Sequence, residues 1–271
     1  MNTEIIRLKD LYGCVVGGEL EILYLDPPSD REDWSRPMVI VVPGGAYERV
    51  SRREGAPIAA DFFARGFQVC VLKYLCYPQG VRYPEQLYEL ACAVDYLARN
   101  AARYYVDPGA IFAVGFSAGG HLVADYSDER HTLRARTGVD LETRIRGVGL
   151  AYPVIDEHDG SFENLLRGYP EKEKTGLKEA LKLSKRVNAA TPPTFLWTTA
   201  TDRLVPAANT LRYALALAEQ GIPYEVHVYP KGGHGMANGS PEINDDLEAA
   251  AILSAWVEDM CRFFHDLHRA K

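Results

Sequence analysis

The sequence predicts an α/β fold in which helices cover both faces of a mostly parallel central sheet. Short apolar runs rich in β-branched residues alternate along the chain with segments of helical spacing, which is the pattern of a parallel sheet. The length of 271 residues suits one large α/β domain. With 47% apolar and 25% charged residues the composition is that of a globular protein, so we expect residues 1–271 to form a single domain.

The first half of the chain contains four predicted strands and three predicted helices. The strands are continuous or β-branched apolar runs at 19–25, 38–42, 67–75 and 111–116. The helices have apolar residues three and four positions apart and lie at 57–65, 86–102 and 119–125. Gly66 ends the first helix, and residues 107–109, with the sequence Asp-Pro-Gly, are predicted to form a turn.

The second half continues the same alternation with three strands and two helices. The strands are predicted at 145–154, 193–199 and 224–229, of which the last alternates between apolar and polar residues. The helices are predicted at 206–220, which stops at Gly221, and at 247–268, which is long and amphipathic. We expect this last helix to close the fold.

One segment interrupts the alternation of strands and helices. Residues 156–190 are charged and helix-prone, and they lie between two predicted core strands. Because ligands bind at the carboxyl edge of open α/β sheets, we expect this segment to be a small helical insertion over that edge. A plain surface excursion is the alternative.

Charge and composition exclude several classes of partner. The net charge of −7 argues against nucleic acid, because phosphate binding needs a basic face. No apolar run approaches the roughly 20 residues that span a bilayer, and the first residues do not have the pattern of a signal peptide. The five cysteines are scattered, without metal-ligand spacing to histidines. We therefore expect a cytoplasmic protein with reduced thiols, no metal and no membrane association.

A serine motif directly follows the predicted strand at 111–116. It is the run Gly115-Phe116-Ser117-Ala118-Gly119, and a helix is predicted to begin after it. A sharp turn from strand to helix holds one side chain above the sheet, and flanking glycines relieve the crowding of the backbone. The pattern alone is short and occurs by chance, but this context predicts that Ser117 is a nucleophile. A turn of small residues without chemistry is the alternative.

A glycine-rich loop, Pro43-Gly44-Gly45-Ala46-Tyr47, follows the predicted strand at 38–42. The oxyanion of an acyl-transfer reaction needs two or three N–H donors that converge on it. We expect one donor from Ala118, the residue after the nucleophile, and two more from Gly45 and Ala46. Alone, this loop would be an ordinary turn.

Candidates for an acid and a base follow later strands. Asp202 is placed to fix the tautomer of a histidine and to stabilise its imidazolium, and helix capping is the alternative. Asp156, after the preceding strand, is the substitute acid. His234 lies in a glycine-flanked loop after the last strand and is the predicted base. We expect His121, four residues after Ser117, to point away from the hydroxyl and to pack within its helix.

The chain resembles the α/β-hydrolase esterases related to acetyl xylan esterases and bifunctional carbohydrate esterases. The resemblance spans nearly the whole chain and rests on the motifs P-G-G-A-Y, G-F-S-A-G-G-H, Y-P-V-I, P-P-T-F-L-W, D-R-L-V-P and G-G-H-G-M. It implies an α/β-hydrolase fold and a serine esterase for short acyl esters, such as acetylated sugars, with Ser117 as nucleophile, Asp202 as acid and His234 as base. This chain order is the α/β-hydrolase order.

The expected mechanism is acyl transfer through a covalent acyl-enzyme, without a metal or an organic cofactor. The chain departs from the related hormone-sensitive-lipase-like esterases, which have H-G-G-G where this chain has Pro43 and Ala46 at the first and last positions. The alternatives within enzymes are a formamidase, an arylesterase and a prolyl-oligopeptidase-type peptidase, whose gating domain is not expected here. A non-catalytic hydrolase-fold binding protein is the alternative from another class, and such proteins commonly lack a triad member.

The expected partner is a small acyl ester, and the sequence leaves its identity open, as it does the choice between a monomer and a homodimer. Four residues that follow core strands are candidates for the substrate pocket: Tyr47, Tyr152, Asp156 and His158.

Overall fold

The computed structural model describes residues 1–13, 17–28, 30–31, 33–137, 145–156, 159–253 and 255–270. The strands in these residues are β1 (Asn2–Arg7), β2 (Glu19–Tyr24), β3 (Arg36–Val42), β4 (Gln68–Lys73), β5 (Val106–Phe116), β6 (Gly147–Ala151), β7 (Thr194–Thr199) and β8 (Tyr224–Tyr229). They form one sheet in the order β1-β2-β4-β3-β5-β6-β7-β8. The pairs β1-β2 and β2-β4 are antiparallel, and the other neighbouring pairs are parallel.

Helices connect the strands and lie on both faces of the sheet. The described helices are α1 (Lys9–Tyr12), α2 (Ala56–Ala64), α3 (Glu85–Arg99), α4 (Ala118–Thr137), α5 (Asp159–Leu165), α6 (Glu171–Ala180), α7 (Ala208–Glu219), α8 (Leu247–Leu253) and α9 (Trp256–Arg269). Short 3₁₀ helices lie at Arg52–Glu54, Tyr77–Gln79, Ala101–Tyr104 and Leu183–Lys185.

Each face of the sheet has its own hydrophobic cluster. Alternate residues of a strand point to opposite faces, and in β3 Ile40 belongs to the cluster that includes α3, α4 and α7, whereas Val41 belongs to the cluster that includes α2 and α9. Because both faces are covered, β3 is a continuous apolar run rather than an alternating one. The predicted α/β fold with a mostly parallel sheet is therefore confirmed.

Three of the differences between the structure and the predicted elements have a clear structural reason. β1 is an edge strand without a buried residue, so no apolar run marks it in the sequence. The predicted turn at 107–109 lies within β5, where the pairing with β3 shifts between Arg36 and Met38 and these residues leave the ladder. The predicted helix at 247–268 is divided into α8 and α9, and the indole N–H of Trp256 at the start of α9 donates to the Ala237 carbonyl at 3.0 Å.

The described part of residues 156–190 joins β6 to β7 and contains α5, α6 and a 3₁₀ helix. It contacts loops at the carboxyl ends of the strands. The Leu183 N–H donates to the Ile155 carbonyl at 3.2 Å, and the Asn164 side-chain amide donates to the Ala46 carbonyl at 3.0 Å. These contacts place the segment beside the loop that follows β3.

Candidate active site

Ser117 lies at the turn between β5 and α4. Its φ of 52° is in the left-handed region, a conformation that costs a residue other than glycine about 1–3 kcal/mol. Its N–H donates to the Ala151 carbonyl at 3.0 Å, and its carbonyl accepts the N–H groups of His121 and Val154 at 3.1 Å each. These three backbone bonds hold the turn and so fix the position of the hydroxyl.

The glycines around Ser117 allow a close approach of three backbone segments. A Cβ at Gly119 would lie 2.1 Å from the Val42 carbonyl oxygen and 2.5 Å from that of Pro43. A Cβ at Gly115 would lie 2.4 Å from the carbonyl oxygen of Gly119. The start of α4 therefore packs directly on the end of β3, which brings the loop after β3 to the nucleophile.

We expect Gly119→Ala to destabilise the fold, because the added methyl group meets backbone atoms that have no rotamer with which to avoid it. The free energy of unfolding should fall by about 1–3 kcal/mol, as in other overpacked sites, and urea unfolding would measure it. Gly176→Ala in α6 is the matched control, since a Cβ there has no atom within 4 Å. An unfolding midpoint of Gly119→Ala equal to that of the wild type would contradict this account of the turn.

The structure brings the three predicted triad residues together. Ser117 Oγ lies 2.7 Å from His234 Nε2, and His234 Nδ1 lies 2.7 Å from Asp202 Oδ2. The Asp202 side chain is fully buried, while the imidazole is 15% exposed. With a carboxylate on Nδ1, the imidazole keeps its proton there and leaves Nε2 free to accept the proton of the hydroxyl.

Asp202 also has a second set of hydrogen bonds. Its Oδ1 accepts the N–H groups of Leu204 and Val205 at 2.9 Å each. This oxygen stabilises the turn before α7, which is the structural role considered as the alternative from the sequence. The two oxygens divide the two roles between them, so the turn holds the carboxylate in place for His234.

The glycine-rich loop lies against Ser117. A Cβ at Gly44, the second residue of this loop, would lie 2.9 Å from Ser117 Cβ. Within the described part of the chain, the N–H groups of Gly45, Ala46 and Ala118 have no hydrogen-bond partner. These three predicted oxyanion donors are therefore free to bind a ligand atom. The contact from Asn164 to the Ala46 carbonyl also restrains this loop.

Strained backbone is concentrated around this site. Five of the six residues other than glycine with positive φ in the described ranges are Ala46, Tyr47, Ser117, Tyr152 and Ala237. They belong to the glycine-rich loop, the nucleophile turn, the end of β6 and the loop after β8. Such strain clusters at functional sites, where the surrounding structure has to impose it. The serine motif predicts a strained backbone at Ser117, whereas the residue types at the other four positions do not signal a positive φ.

The two tyrosines predicted for the substrate pocket are buried, each with 1% of its surface exposed. The Tyr47 hydroxyl lies 2.8 Å from His121 Nδ1, and the Tyr152 hydroxyl donates to Glu54 Oε1 at 2.7 Å. Burial raises the pKa of both hydroxyls well above its usual value and lowers the pKa of His121 to about 4. The His121 ring thus faces Tyr47 and not Ser117.

Of the other two pocket candidates, Asp156 does not contact the triad among the described residues. Asp156 is buried, and its carboxylate accepts the N–H and the hydroxyl of Ser184 at 3.1 and 2.8 Å. His158 lies outside the described residues. Substrate binding by Tyr47, Tyr152, Asp156 and His158 stays a prediction.

Two side chains that the sequence does not single out support the site. Glu54 binds both the glycine-rich loop and Tyr152, and Asn164 binds Ala46. Glu54 follows two arginines, a pattern typical of an exposed turn, and Asn164 lies in a charged helical segment. Their burial and contacts depend on the tertiary fold, so only the short distance of Glu54 from the P-G-G motif could have drawn attention to it.

Comparison with known proteins shows the family. Residues 23–217 match the model of the BD-FAE family, a range that includes Ser117 and Asp202. The chain belongs to the BD-FAE family. This family consists of hydrolase-fold enzymes, so the resemblance to esterases predicted from the sequence is confirmed.

Two relatives and one solved structure illustrate the similarity. The chain is 32% identical over 220 residues to endo-1,4-beta-xylanase B of Butyrivibrio fibrisolvens, covering 78% of this chain and 34% of that protein. It is 30% identical over 213 residues to the acetylxylan esterase of Xylanibacter ruminicola, covering 74% of this chain and 41% of the relative. This chain therefore spans about two fifths or less of the length of these relatives.

The structural similarity extends over the full length. The acetyl ester-xyloside bifunctional hydrolase from Caldicellulosiruptor lactoaceticus superposes with a TM-score of 0.80 and 27% identity, covering 98% of this chain and 96% of that one. This similarity establishes the α/β-hydrolase fold for this BD-FAE family member.

Two features are absent from the described residues, a metal-binding cluster and a membrane-spanning helix. No group of three or more His, Cys, Asp and Glu side chains in these ranges could hold a metal ion. Among the same residues, no helix combines the length and the apolar character that are needed to cross a bilayer.

Proposed function

We propose that this BD-FAE family member is a serine esterase that hydrolyses short acyl esters, in particular acetyl esters of sugars. The observation that supports this proposal is the hydrogen-bonded series from Ser117 through His234 to Asp202, with both contacts at 2.7 Å. A hydroxyl, an imidazole and a buried carboxylate in this order accelerate acyl transfer in several unrelated folds.

In the acylation step, Ser117 Oγ attacks the ester carbonyl carbon while His234 Nε2 takes the hydroxyl proton. The oxyanion accepts hydrogen bonds from the N–H groups of Gly45, Ala46 and Ala118, and the loss of one such donor typically costs about 2.7–4 kcal/mol of transition-state stabilisation. His234 then donates its proton to the departing alcohol oxygen as the ester bond breaks. Ser117 now carries the acyl group.

The deacylation step repeats this chemistry with water as the nucleophile. His234 removes a proton from water, and the hydroxide attacks the acyl carbon at the same oxyanion donors. The bond to Ser117 Oγ breaks, and Oγ regains the proton from His234. The products are the free acid and the regenerated enzyme.

The proposed preference for acetyl groups draws on two observations. A relative is named acetylxylan esterase, and a similar solved structure is named acetyl ester-xyloside hydrolase. In addition, α6, in the segment between β6 and β7, has the sequence EKEKTGLKEA and buries no residue. A longer acyl chain gains about 0.8 kcal/mol per CH₂ only where apolar surface covers it, and this mostly charged helix, whose Leu177 packs against the core, is poorly suited to cover one.

We expect kcat/KM for p-nitrophenyl acetate to exceed that for p-nitrophenyl octanoate by about tenfold or more, because the longer chain finds little apolar surface to cover it. A chain-length series from two to eight carbons measures this preference. Ser117→Ala protein provides the background rate. A maximum at eight carbons would contradict the proposed acyl specificity.

A second assay tests the sugar component of the proposal. Acetylated xylo-oligosaccharides should release acetate in the presence of the wild-type protein, whereas N-formylkynurenine should stay intact. Release of formate without release of acetate would favour the formamidase alternative instead.

A further inference from the structure

A buried glutamate lies behind the proposed active site. Glu54 ends a 3₁₀ helix, and only 4% of its surface is exposed. Its Oε2 accepts the N–H of Gly44 at 2.8 Å, and its Oε1 accepts the hydroxyl of Tyr152 at 2.7 Å. Burial of a carboxylate is costly unless its oxygens are hydrogen-bonded, and here each oxygen has a donor.

Tyr152 extends this contact to the loop that contains His234. Its hydroxyl oxygen accepts the N–H of Ala237 at 3.1 Å. Its ring meets the His234 imidazole edge to face, with the ring centroids 5.1 Å apart and the planes at 70°. Burial and the adjacent Glu54 raise the pKa of Tyr152 well above its usual value, so the hydroxyl keeps the proton that it donates to the carboxylate.

On its other side, Glu54 holds the loop that contains the oxyanion donors. Gly44 directly precedes Gly45 and Ala46. A Cβ at Gly44 would lie 2.9 Å from Glu54 Oε2 and 2.9 Å from Ser117 Cβ. Only one backbone segment therefore separates the carboxylate from the nucleophile.

We propose that Glu54 is a positioning residue that fixes the oxyanion loop and the His234 loop relative to each other. It does so through the Gly44–Glu54–Tyr152–Ala237 link, the series of three hydrogen bonds described above. This inference rests on the proposed function and names a residue that this function does not itself require.

The topology explains why such a link is needed. The oxyanion loop follows β3 and the His234 loop follows β8, and three strands lie between β3 and β8 in the sheet. Ladder hydrogen bonds therefore do not join the two loops directly. A misplacement of about 1 Å can cost about 10²-fold in rate. Loss of the direct connection between the oxyanion donors and the base should therefore slow the reaction.

Glu54→Gln interrupts the link with little change in size. An amide has one oxygen that accepts and one NH₂ that only donates, so glutamine cannot accept from both Gly44 and Tyr152. We expect kcat for p-nitrophenyl acetate to fall about 10–100-fold, with KM within about threefold of the wild-type value, because Glu54 is buried behind the oxyanion loop.

Tyr152→Phe interrupts the same link from the other side and should lower kcat to a similar extent. The double variant with Glu54→Gln should lose little more than the more affected single variant, since both changes remove one shared connection. If Glu54→Gln does not fold, the kcat of Tyr152→Phe decides the question.

Glu89→Gln is the matched control for a merely structural role. Glu89 is also a buried carboxylate, 1% exposed, and accepts the N–H groups of Gly17 and Leu75 at 2.9 and 2.7 Å. We expect this variant to lower the thermal midpoint while kcat stays at the wild-type value. The inference would be overturned if kcat is unchanged in both Glu54→Gln and Tyr152→Phe. It would also be overturned if Glu89→Gln loses as much kcat as Glu54→Gln when the two variants have the same thermal midpoint.

The experiment separates this inference from the proposed function. Wild-type turnover that is absent in Ser117→Ala supports the function whatever Glu54 does, so a normal kcat in the Glu54 and Tyr152 variants then refutes only the positioning role. A wild-type protein without turnover of any ester overturns both.

Discussion

Ser117→Ala is expected to lower kcat for p-nitrophenyl acetate by about 10⁶-fold, as the loss of the nucleophile does in a comparable triad. The fold should be retained, because the Ser117 hydroxyl bonds only to His234 among the described residues. The three hydrogen bonds that hold the turn come from its backbone. Steady-state turnover and circular dichroism of the purified variant measure the two expectations.

Ser127→Ala is the matched control for this change. Ser127 is a buried serine of α4, the helix that follows Ser117, and its hydroxyl donates to the Val123 carbonyl at 2.7 Å, away from His234. A fluorophosphonate should label the wild-type protein and Ser127→Ala at Ser117, and leave Ser117→Ala unlabelled. Substantial turnover by pure Ser117→Ala, or an adduct on another serine, would refute the assignment of the nucleophile.

Asp202→Asn should lower kcat by about 10⁴-fold without unfolding the protein. An asparagine can keep its oxygen on the N–H groups of Leu204 and Val205, where Asp202 Oδ1 now lies. Its NH₂ then faces His234 Nδ1 as a donor, which forces the proton of the imidazole onto Nε2. In that tautomer Nε2 can no longer accept the proton of Ser117. The variant should therefore lose turnover while its urea midpoint stays close to that of the wild type.

Asp156→Asn distinguishes the two acids that the sequence leaves as candidates. Asp156 accepts hydrogen bonds from Ser184 and has no contact with His234 in the described residues. We expect this variant to keep most of its turnover. A large loss of kcat in Asp156→Asn together with an active Asp202→Asn would reverse the assignment of the acid.

The sequence was sufficient to predict the site residues that lie shortly after the end of a strand. Ser117, Asp202 and His234 each come shortly after a strand of the sheet. Since the carboxyl ends of parallel strands meet at one edge, the chain order alone brings such residues together. Glycines next to Ser117 and His234 marked the turns in which they lie. The three side chains accordingly bond in the predicted order.

The residues that support the site were beyond a sequence-based prediction. Glu54 contacts Tyr152 across 98 positions of the sequence and Asn164 contacts Ala46 across 118. Local sequence patterns do not predict contacts at such separations. Tyr47 and Tyr152 follow core strands, which suggested pocket residues, but the left-handed backbone at both positions accompanies side chains that are packed into the interior. Backbone conformation of this kind depends on the assembled fold.

The hydrogen bond from Asn164 to the Ala46 carbonyl limits how this enzyme can be re-engineered. Exchanging residues 156–190 for a foreign segment would test whether this segment affects substrate specificity. A chimera made in this way also removes the donor that restrains Ala46 in its left-handed conformation. A successful graft would therefore keep Asn164 and the part of α5 that presents it, and would vary only the residues that follow.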